Sequence, residues 1–369
     1  MRAGDVINGY TLLEDFKVVG AGLSQWTFAE RGGRQFFLKQ FLSPTYPDDA
    51  APGSEKIKAK KRARCAAFES HHRGVQAVLA PLSAYGGNLI VTLDFFRWGA
   101  KYYKVTEKVD AEPMEPRDIA RLDFRLQLVL LKSVAHSLKI LHDLRIVHSD
   151  LKPSNILVKR TELGYTSKLI DFDSAYLAGS PPPSEEIVGT INYYSPELLG
   201  YIQEAGVAPQ QLGPASDIFS LGLIYTEFLT GAPPPFDAAT YHEPAVAVRA
   251  GQTLRVPRGR VLPELADLID QMMAADPAHR PTIGKVHATL MGIRTGTPDL
   301  PARPSRPARP AAPSALRGKG LRASRPAAPG DPEPAPRGRL VGKLLSKITD
   351  RAPGGRPPES PESKARSGE

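Results

Sequence analysis

The chain has 369 residues, with 48 Lys and Arg against 39 Asp and Glu, and a single cysteine, Cys65. That length exceeds one typical domain and suits a two-lobed unit with an appendage. One cysteine excludes an internal disulfide and points to a reducing, cytoplasmic setting. No run of about 20 apolar residues is present, so a membrane-spanning protein is not expected, and the first eight residues lack a signal-peptide core.

Charge is unevenly spread. Residues 298–369 carry 15 Lys and Arg against 7 Asp and Glu, 15 of the 36 prolines, and no Phe, Trp or Tyr. The first 297 residues are close to neutral, with 33 basic against 32 acidic side chains. A segment so poor in large apolar groups cannot offset an ordering entropy of roughly 1–2 kcal/mol per residue, so disorder is expected there.

In chain order, the first feature is Val18-Val19-Gly20-Ala21-Gly22-Leu23-Ser24-Gln25-Trp26-Thr27-Phe28. Two glycines without Cβ let backbone amides approach a phosphate, and a tight hairpin turn is the plainer reading. Phe36-Phe37-Leu38-Lys39 reads as a strand. A Pro/Gly/Ser-punctuated loop over 47–54 leads to Glu55 and a helix from Lys56 to about Leu79 that holds Glu69. Its first turns carry Lys56, Lys58, Lys60, Lys61, Arg62 and Arg64, a solvated basic face. Two strands, Asn88–Arg97 and Lys101–Val109, are joined by Trp98-Gly99-Ala100. Phe124, Leu128, Leu131, Val134, Leu138 and Leu141 recur at spacings of three and four, which predicts a helix over about Arg121 to Leu144.

Polar stretches follow: His148-Ser149-Asp150-Leu151-Lys152-Pro153-Ser154-Asn155, then Asp171-Phe172-Asp173, then Gly189-Thr190-Ile191-Asn192-Tyr193-Tyr194-Ser195-Pro196-Glu197. Ser216-Asp217-Ile218-Phe219-Ser220-Leu221-Gly222 opens an apolar helix that Gly231 would end. Arg280 lies in Asp276-Pro277-Ala278-His279-Arg280-Pro281. In the tail, 301–307 reads as extended proline-rich chain. Leu340 to Ile348 is a candidate short amphipathic helix for a partner or an anionic surface, marginal by itself in water, and a transient segment with no role is the plainer reading. Without interleaved aromatics the tail is not expected to bind nucleic acid specifically.

These stretches, in this order, resemble the eukaryotic-like (bacterial-type) serine/threonine protein kinase superfamily. The resemblance implies an α+β, bilobal protein-kinase fold. Residues 1–109 would form a small antiparallel-sheet lobe with one helix. Residues 110–296 would form a larger, mostly helical lobe, and 297–369 a disordered Pro/Arg-rich tail. ATP would lie between the lobes with Mg2+, Mn2+ being the alternative ion. Gly20, Ala21 and Gly22 would cover the phosphates, and Thr27 the adenine. Lys39 would hold the α- and β-phosphates, itself held by a helix carboxylate, Glu69 in preference to Glu55. Thr106 would gate the back of the pocket, and the backbones of Glu107 and Val109 would hydrogen-bond adenine.

The resemblance further implies that Asp150 orients the acceptor hydroxyl and takes its proton, with Lys152 beside the transferred phosphate. Asn155 and Asp171 would hold the metal, as hard oxygen ligands suit magnesium. His148 would brace the metal-binding loop, and Thr190 would hydrogen-bond near Asp150 and Lys152. Glu197 would pair with Arg280, and Asp217 would cap the catalytic loop. Five positions depart from the pattern: Gln25 replaces a glycine, Thr27 a valine, Phe37 an alanine, Ser149 an arginine and Asp173 a glycine. Ser149 cannot bind an activation-segment phosphate, which implies activity independent of that phosphorylation. The implied activity is transfer of the ATP γ-phosphate to protein Ser/Thr hydroxyls. The alternative is a pseudokinase or nucleotide-binding scaffold whose basic tail recruits an acidic partner.

Overall fold

The computed structural model describes residues 1–19, 24–48, 53–85, 87–162, 164–187 and 189–294. Gly20, Ala21 and Gly22, the tail and its expected helix over 340–348 lie outside these residues.

The small lobe is a curled antiparallel sheet of β1 (Val6–Ile7), β2 (Tyr10–Leu12), β3 (Lys17–Val19), β4 (Ser24–Arg31), β5 (Arg34–Phe41), β6 (Asp94–Trp98) and β7 (Lys101–Glu107). The strand order is β1-β2-β4-β5-β7-β6, with β3 also paired to β4. Gly32 and Gly33 make the two-residue turn between β4 and β5, at φ +61° and +74°. Two successive positive φ values favour glycine and lock a tight hairpin. The turn sets Arg31 opposite Arg34, and hence Trp26 opposite Lys39 and Phe28 opposite Phe37.

One face of this sheet is covered and the other is covered at its α1 end. On one, Leu38, Tyr103 and Val105 pack with Ile7, Tyr10 and Leu12 from the first two strands. On the other, Phe41, Phe95 and Tyr102 pack with Cys65 and Phe68 of α1 (Glu55–Leu79). Helix α1 starts one residue earlier than the periodicity predicts, because the Ser54 hydroxyl accepts from the Ile57 amide, a side-chain N-cap. The first expected strand over 88–97 is shorter than predicted. Residues 88–90 run instead beside Leu169, whose amide donates to Asn88 O at 2.7 Å and whose carbonyl accepts from Ile90 N at 2.9 Å, while Leu93 N still donates to Val105 O of β7 at 2.9 Å. That ladder ties the small lobe to the large one.

The large lobe contains α2 (Pro116–Ile119), α3 (Phe124–Asp143), α4 (Pro196–Ile202), α5 (Pro214–Thr230), α6 (Ala238–Tyr241), α7 (Pro244–Arg249), α8 (Pro263–Met272) and α9 (Ile283–Gly292). Helix α3 begins three residues later than the predicted Arg121, where the Asp123 carboxylate caps the Leu126 amide. Of the apolar stripe predicted on α3, Leu128, Leu131, Val134, Leu138 and Leu141 are buried with α5 and α8 in one core, and Phe124 is half-buried against it. Gly231 ends α5 at φ +81°, a left-handed cap that costs glycine no Cβ clash. Short strands β8 (Ile146–Val147), β9 (Ile156–Thr161), β10 (Gly164–Leu169) and β11 (Tyr176–Leu177) line the cleft side of this core. The fold is therefore α+β and bilobal. Among the described residues, no helix is long and apolar enough to cross a membrane.

Candidate active site

The β9–β10 hairpin is the ruler of the site. Asn155 precedes β9, Asp171 follows β10, and Leu169 pairs with Ile156 at the open end. Ile170 N donates to Asn155 O at 3.0 Å. The turn that carries Asp150 leaves β8 and enters β9. Ser149 and Asp171 both adopt positive φ, +68° and +64°. Non-glycine residues rarely do so, and such strain persists where surrounding bonds over-determine it. At Ser149, Asp217 on α5 supplies those bonds. Its carboxylate accepts from His148 N at 2.8 Å and Ser149 N at 3.0 Å. His142 Nε2 lies 2.9 Å from the same carboxylate. The His148 ring nitrogen Nε2 sits 3.0 Å from Ile170 O, and the ring packs on Phe172 with centroids 5.2 Å apart.

Asp150, Lys152, Asn155 and Thr190 come together. Lys152 Nζ donates to Asp150 Oδ2 at 2.7 Å and to Thr190 Oγ1 at 2.9 Å. Thr190 N donates to Asp150 Oδ1 at 3.2 Å. Asn155 Nδ2 donates to Asp150 O at 2.8 Å and to Oδ2 at 3.2 Å. Its NH2 is thus committed to Asp150, while Oδ1 makes no hydrogen bond among the described residues. Beneath this, Arg280 Nη1 and Nη2 donate to the two Glu197 oxygens at 2.7 and 2.9 Å.

The small-lobe contribution differs from the expectation in two respects. Lys39 does not pair with Glu69. The Glu69 carboxylate accepts instead from Tyr102 OH at 2.6 Å, and Glu55 pairs with Lys58 and Arg62 on its own helix. Lys39 Nζ meets Asp171 at 3.0 and 3.1 Å and Asp173 Oδ2 at 2.6 Å. A second lysine, Lys104 of β7, joins them. It donates to Asp171 Oδ1 at 3.0 Å and to Asp173 Oδ1. Burial alone would lower the Lys39 ammonium, but the charges of Asp173 and Asp171 outweigh it and raise it. Burial alone would raise the Asp171 carboxyl, but Lys104 and Lys39 hold it well below the usual carboxylate range.

The second correction concerns Thr27. It is fully buried on the sheet face away from Lys39, opposite Leu38, and its hydroxyl donates to Glu14 O at 2.7 Å. Successive strand residues face opposite sides, so the residues sharing Lys39's face are Trp26 and Phe28. Their rings lie 5.4 and 6.3 Å from that of Phe37. This aromatic trio roofs the cleft where the sequence reading placed Thr27. Counting back from the Gly32-Gly33 turn gives that register directly. Thr106 lies opposite Phe37 and is nearly buried. Glu107 ends β7 and is exposed, and Val109 follows it. Lys104 was missed at the sequence level; it lies two residues before Thr106 and so on the same sheet face.

The donor set suits a divalent cation held between phosphates and protein. Asp171 and the open Asn155 Oδ1 are hard oxygen ligands, and few such protein ligands are needed when phosphates complete the shell.

The model of one protein family, the protein kinase domain, matches residues 56–290. This chain belongs to that family. The match begins beyond the glycine-rich stretch and Lys39, so it covers the catalytic and metal-binding loops but not the roof of the cleft. Among curated proteins, "Serine/threonine-protein kinase ULK3" of Xenopus laevis is 31% identical over 195 residues, 52% of this chain and 40% of the relative. "Serine/threonine-protein kinases drp72" of Corynebacterium efficiens is 33% identical over 184 residues, 48% of this chain and 33% of the relative. A calcium and calcium/calmodulin-dependent serine/threonine-protein kinase of Oryza sativa subsp. japonica is 32% identical over 155 residues, 42% of this chain and 28% of the relative. The matched regions thus span less than half the length of each of these relatives.

Proposed function

We propose that the chain is a serine/threonine protein kinase that transfers the ATP γ-phosphate to protein hydroxyls. The observation that carries this reading is the Asp150–Lys152–Thr190 triangle with Asn155 and Asp171 beside it. In the transfer, the acceptor oxygen forms a bond to Pγ, the bond from Pγ to the leaving ADP oxygen breaks, and the hydroxyl proton passes to Asp150. Lys152, held between Asp150 and Thr190, sits where charge on the moving phosphoryl group needs neutralising. Asp171 and Asn155 Oδ1 would hold Mg2+ or Mn2+, which when bound would neutralise phosphate charge. The names of the relatives favour Ser and Thr as acceptors. The backbones of Glu107 and Val109, at the end of β7, are the proposed partners of the base.

Control by activation-segment phosphorylation through a catalytic-loop arginine is absent in this reading. Ser149 stands at that position, and the segment docks through Thr190 on Lys152 and Asp150 and through Tyr193 OH on Glu227 at 3.0 Å. A reducing, cytoplasmic setting and an acidic partner for the basic tail complete the proposal on the strength of composition alone. The nucleotide-binding scaffold remains a second reading because Trp26, Phe28 and Phe37 narrow the roof of the cleft.

The test incubates purified protein with labelled ATP, Mg2+ or Mn2+, and a generic protein acceptor, beside Lys39→Met and Asp171→Ala. Wild type is expected to transfer at least tenfold more phosphate, about 1.4 kcal/mol of transition-state stabilisation. Transfer no greater than that of the variants overturns the enzyme reading. A nucleotide-dependent rise in Tm without transfer selects the scaffold.

A further inference from the structure

Lys39 and Lys104 stand directly opposite each other on one face of the β5–β7 pair. Like charges directly opposite on a sheet repel. The two side chains are only 16% and 5% exposed, so water screens them little. Their charge is balanced by Asp171 and Asp173, giving two ammonium groups and two carboxylates in one cluster. Asp173 divides its oxygens between the lysines, Oδ2 to Lys39 at 2.6 Å and Oδ1 to Lys104. Its backbone carries no positive φ; that strain sits on Asp171. A side chain at 173 therefore costs nothing in backbone freedom. The backbone of Asp173 is also fixed to α1, since His71 Nε2 lies 3.0 Å from Asp173 O. Glu69, meanwhile, is engaged by Tyr102.

Resting on the kinase reading above, we propose that Asp173 is the positioning residue for Lys39, in the place of the helix carboxylate, and that Lys104 holds Asp173 to this task. The arrangement accounts for three features together: a lysine buried on the cleft face of β7, a carboxylate at 173, and a Glu69 turned to Tyr102. It also has a consequence for nucleotide binding. Asp171 must share its carboxylate with a cation, and Lys39 then keeps Asp173 as its anchor while its ammonium serves the phosphates. Lys104 leaves Asp173 neutralised throughout, so no uncompensated buried charge arises, a situation that is strongly destabilising.

The test uses the full chain and the fluorescent nucleotide mant-ATP, titrated with Mg2+ and again in EDTA, together with the Tm of nucleotide-free protein. The variants are Asp173→Asn, Asp173→Glu, Lys104→Met, Glu69→Gln and the double variant Lys104→Met/Asp173→Asn. Asp173→Asn is expected to weaken mant-ATP about tenfold or more and to lower Tm, since it strands two lysines on one carboxylate. Asp173→Glu should retain affinity within about threefold, because the charge is kept. Glu69→Gln should weaken binding at least about fivefold less than Asp173→Asn. Lys104→Met should weaken mant-ATP less than Asp173→Asn does, because Asp173 still reaches Lys39. The double variant separates the roles: charge balance returns, so Tm recovers toward wild type, while affinity stays about tenfold weak because Lys39 has lost its anchor. Recovery of affinity together with Tm would reduce Asp173 to a counter-ion and overturn the proposal. A Glu69→Gln loss equal to that of Asp173→Asn would return the role to the helix. Wild type that binds mant-ATP without transferring phosphate overturns the proposed function and leaves this inference intact. Wild type that does not bind it at all overturns both.

Discussion

Glu197→Ala provides a severe test of how the large lobe is held together. Arg280 is 6% exposed overall, with a fully buried side chain, and its five N–H donors meet five acceptors. Two are the Glu197 oxygens at 2.7 and 2.9 Å, and three are the carbonyls of Ala215, Ala274 and Ala275 at 2.8, 2.8 and 3.0 Å. The guanidinium also lies 5.0 Å from the Phe219 ring centroid. Removing Glu197 leaves that cation desolvated with neutral partners only. Stranding one member of a buried pair costs about 3–5 kcal/mol, against about 0–1 kcal/mol for an exposed pair such as Lys17–Glu14. At roughly 2–4 °C per kcal/mol for a domain of this size, Tm should fall on the order of 10 °C. Arg280→Lys should not substitute, since one ammonium cannot reproduce a planar fork with five donors. The double variant Glu197→Met/Arg280→Met should regain much of the loss, because no buried charge is left. Urea unfolding followed by tryptophan fluorescence and circular dichroism reads these differences. A Glu197→Ala loss below about 1 kcal/mol, or a double variant less stable than either single one, would refute the reasoning.

Three other outcomes follow from the same structure. Burial holds the His72 imidazole down to about 4 from 6.5, opposed by Asp173 and aided by Lys104, His71 and Lys39. Between those values the unfolded chain binds the extra proton, so stability is full above pH 6.5 and falls as pH drops toward 4, by about 3 kcal/mol; a His72→Gln variant with an equally steep Tm-versus-pH curve would contradict this. Alanine at Ser174, Ser180 and Ser184 together should leave the phosphate-transfer rate within about threefold, and a fall of about tenfold would restore control by activation-segment phosphorylation. Gly222→Ala should cost about 1–3 kcal/mol, because a Cβ there would lie 2.7 Å from Met273 Cγ and 3.2 Å from Met272 Cβ between α5 and α8; an unchanged urea midpoint would show that this contact is loose.

Much of the large lobe was legible because its cues are local. The apolar spacing on α3 marked a buried stripe, Gly231 marked the end of α5, and the order of polar stretches marked the catalytic and metal-binding loops. Errors fell where a local pattern competes with a distant partner. Residues 88–90 read as one strand with 94–97, yet they pair with Leu169 from the other lobe rather than extending β6. Thr27 was placed by position within a motif, whereas the two-residue Gly32-Gly33 turn sets the register and puts Trp26 and Phe28 on the cleft face instead.

The sequence by itself determined the family, the bilobal order, and the short-range constellation of Asp150, Lys152 and Asn155, whose spacing of two and three residues fixes their proximity in any compact loop. It also showed that positions 149 and 173 are unusual. It could not say which carboxylate serves Lys39, since candidates at 55, 69, 171 and 173 lie 16 to 134 residues away and a lysine names no partner. Only the tertiary structure shows which carboxylates reach Lys39: Asp171 and Asp173, both shared with Lys104, which stands opposite Lys39 across β5 and β7. The two buried ammonium groups on that sheet face are balanced by two carboxylates within about 3 Å, while Glu69 accepts from Tyr102.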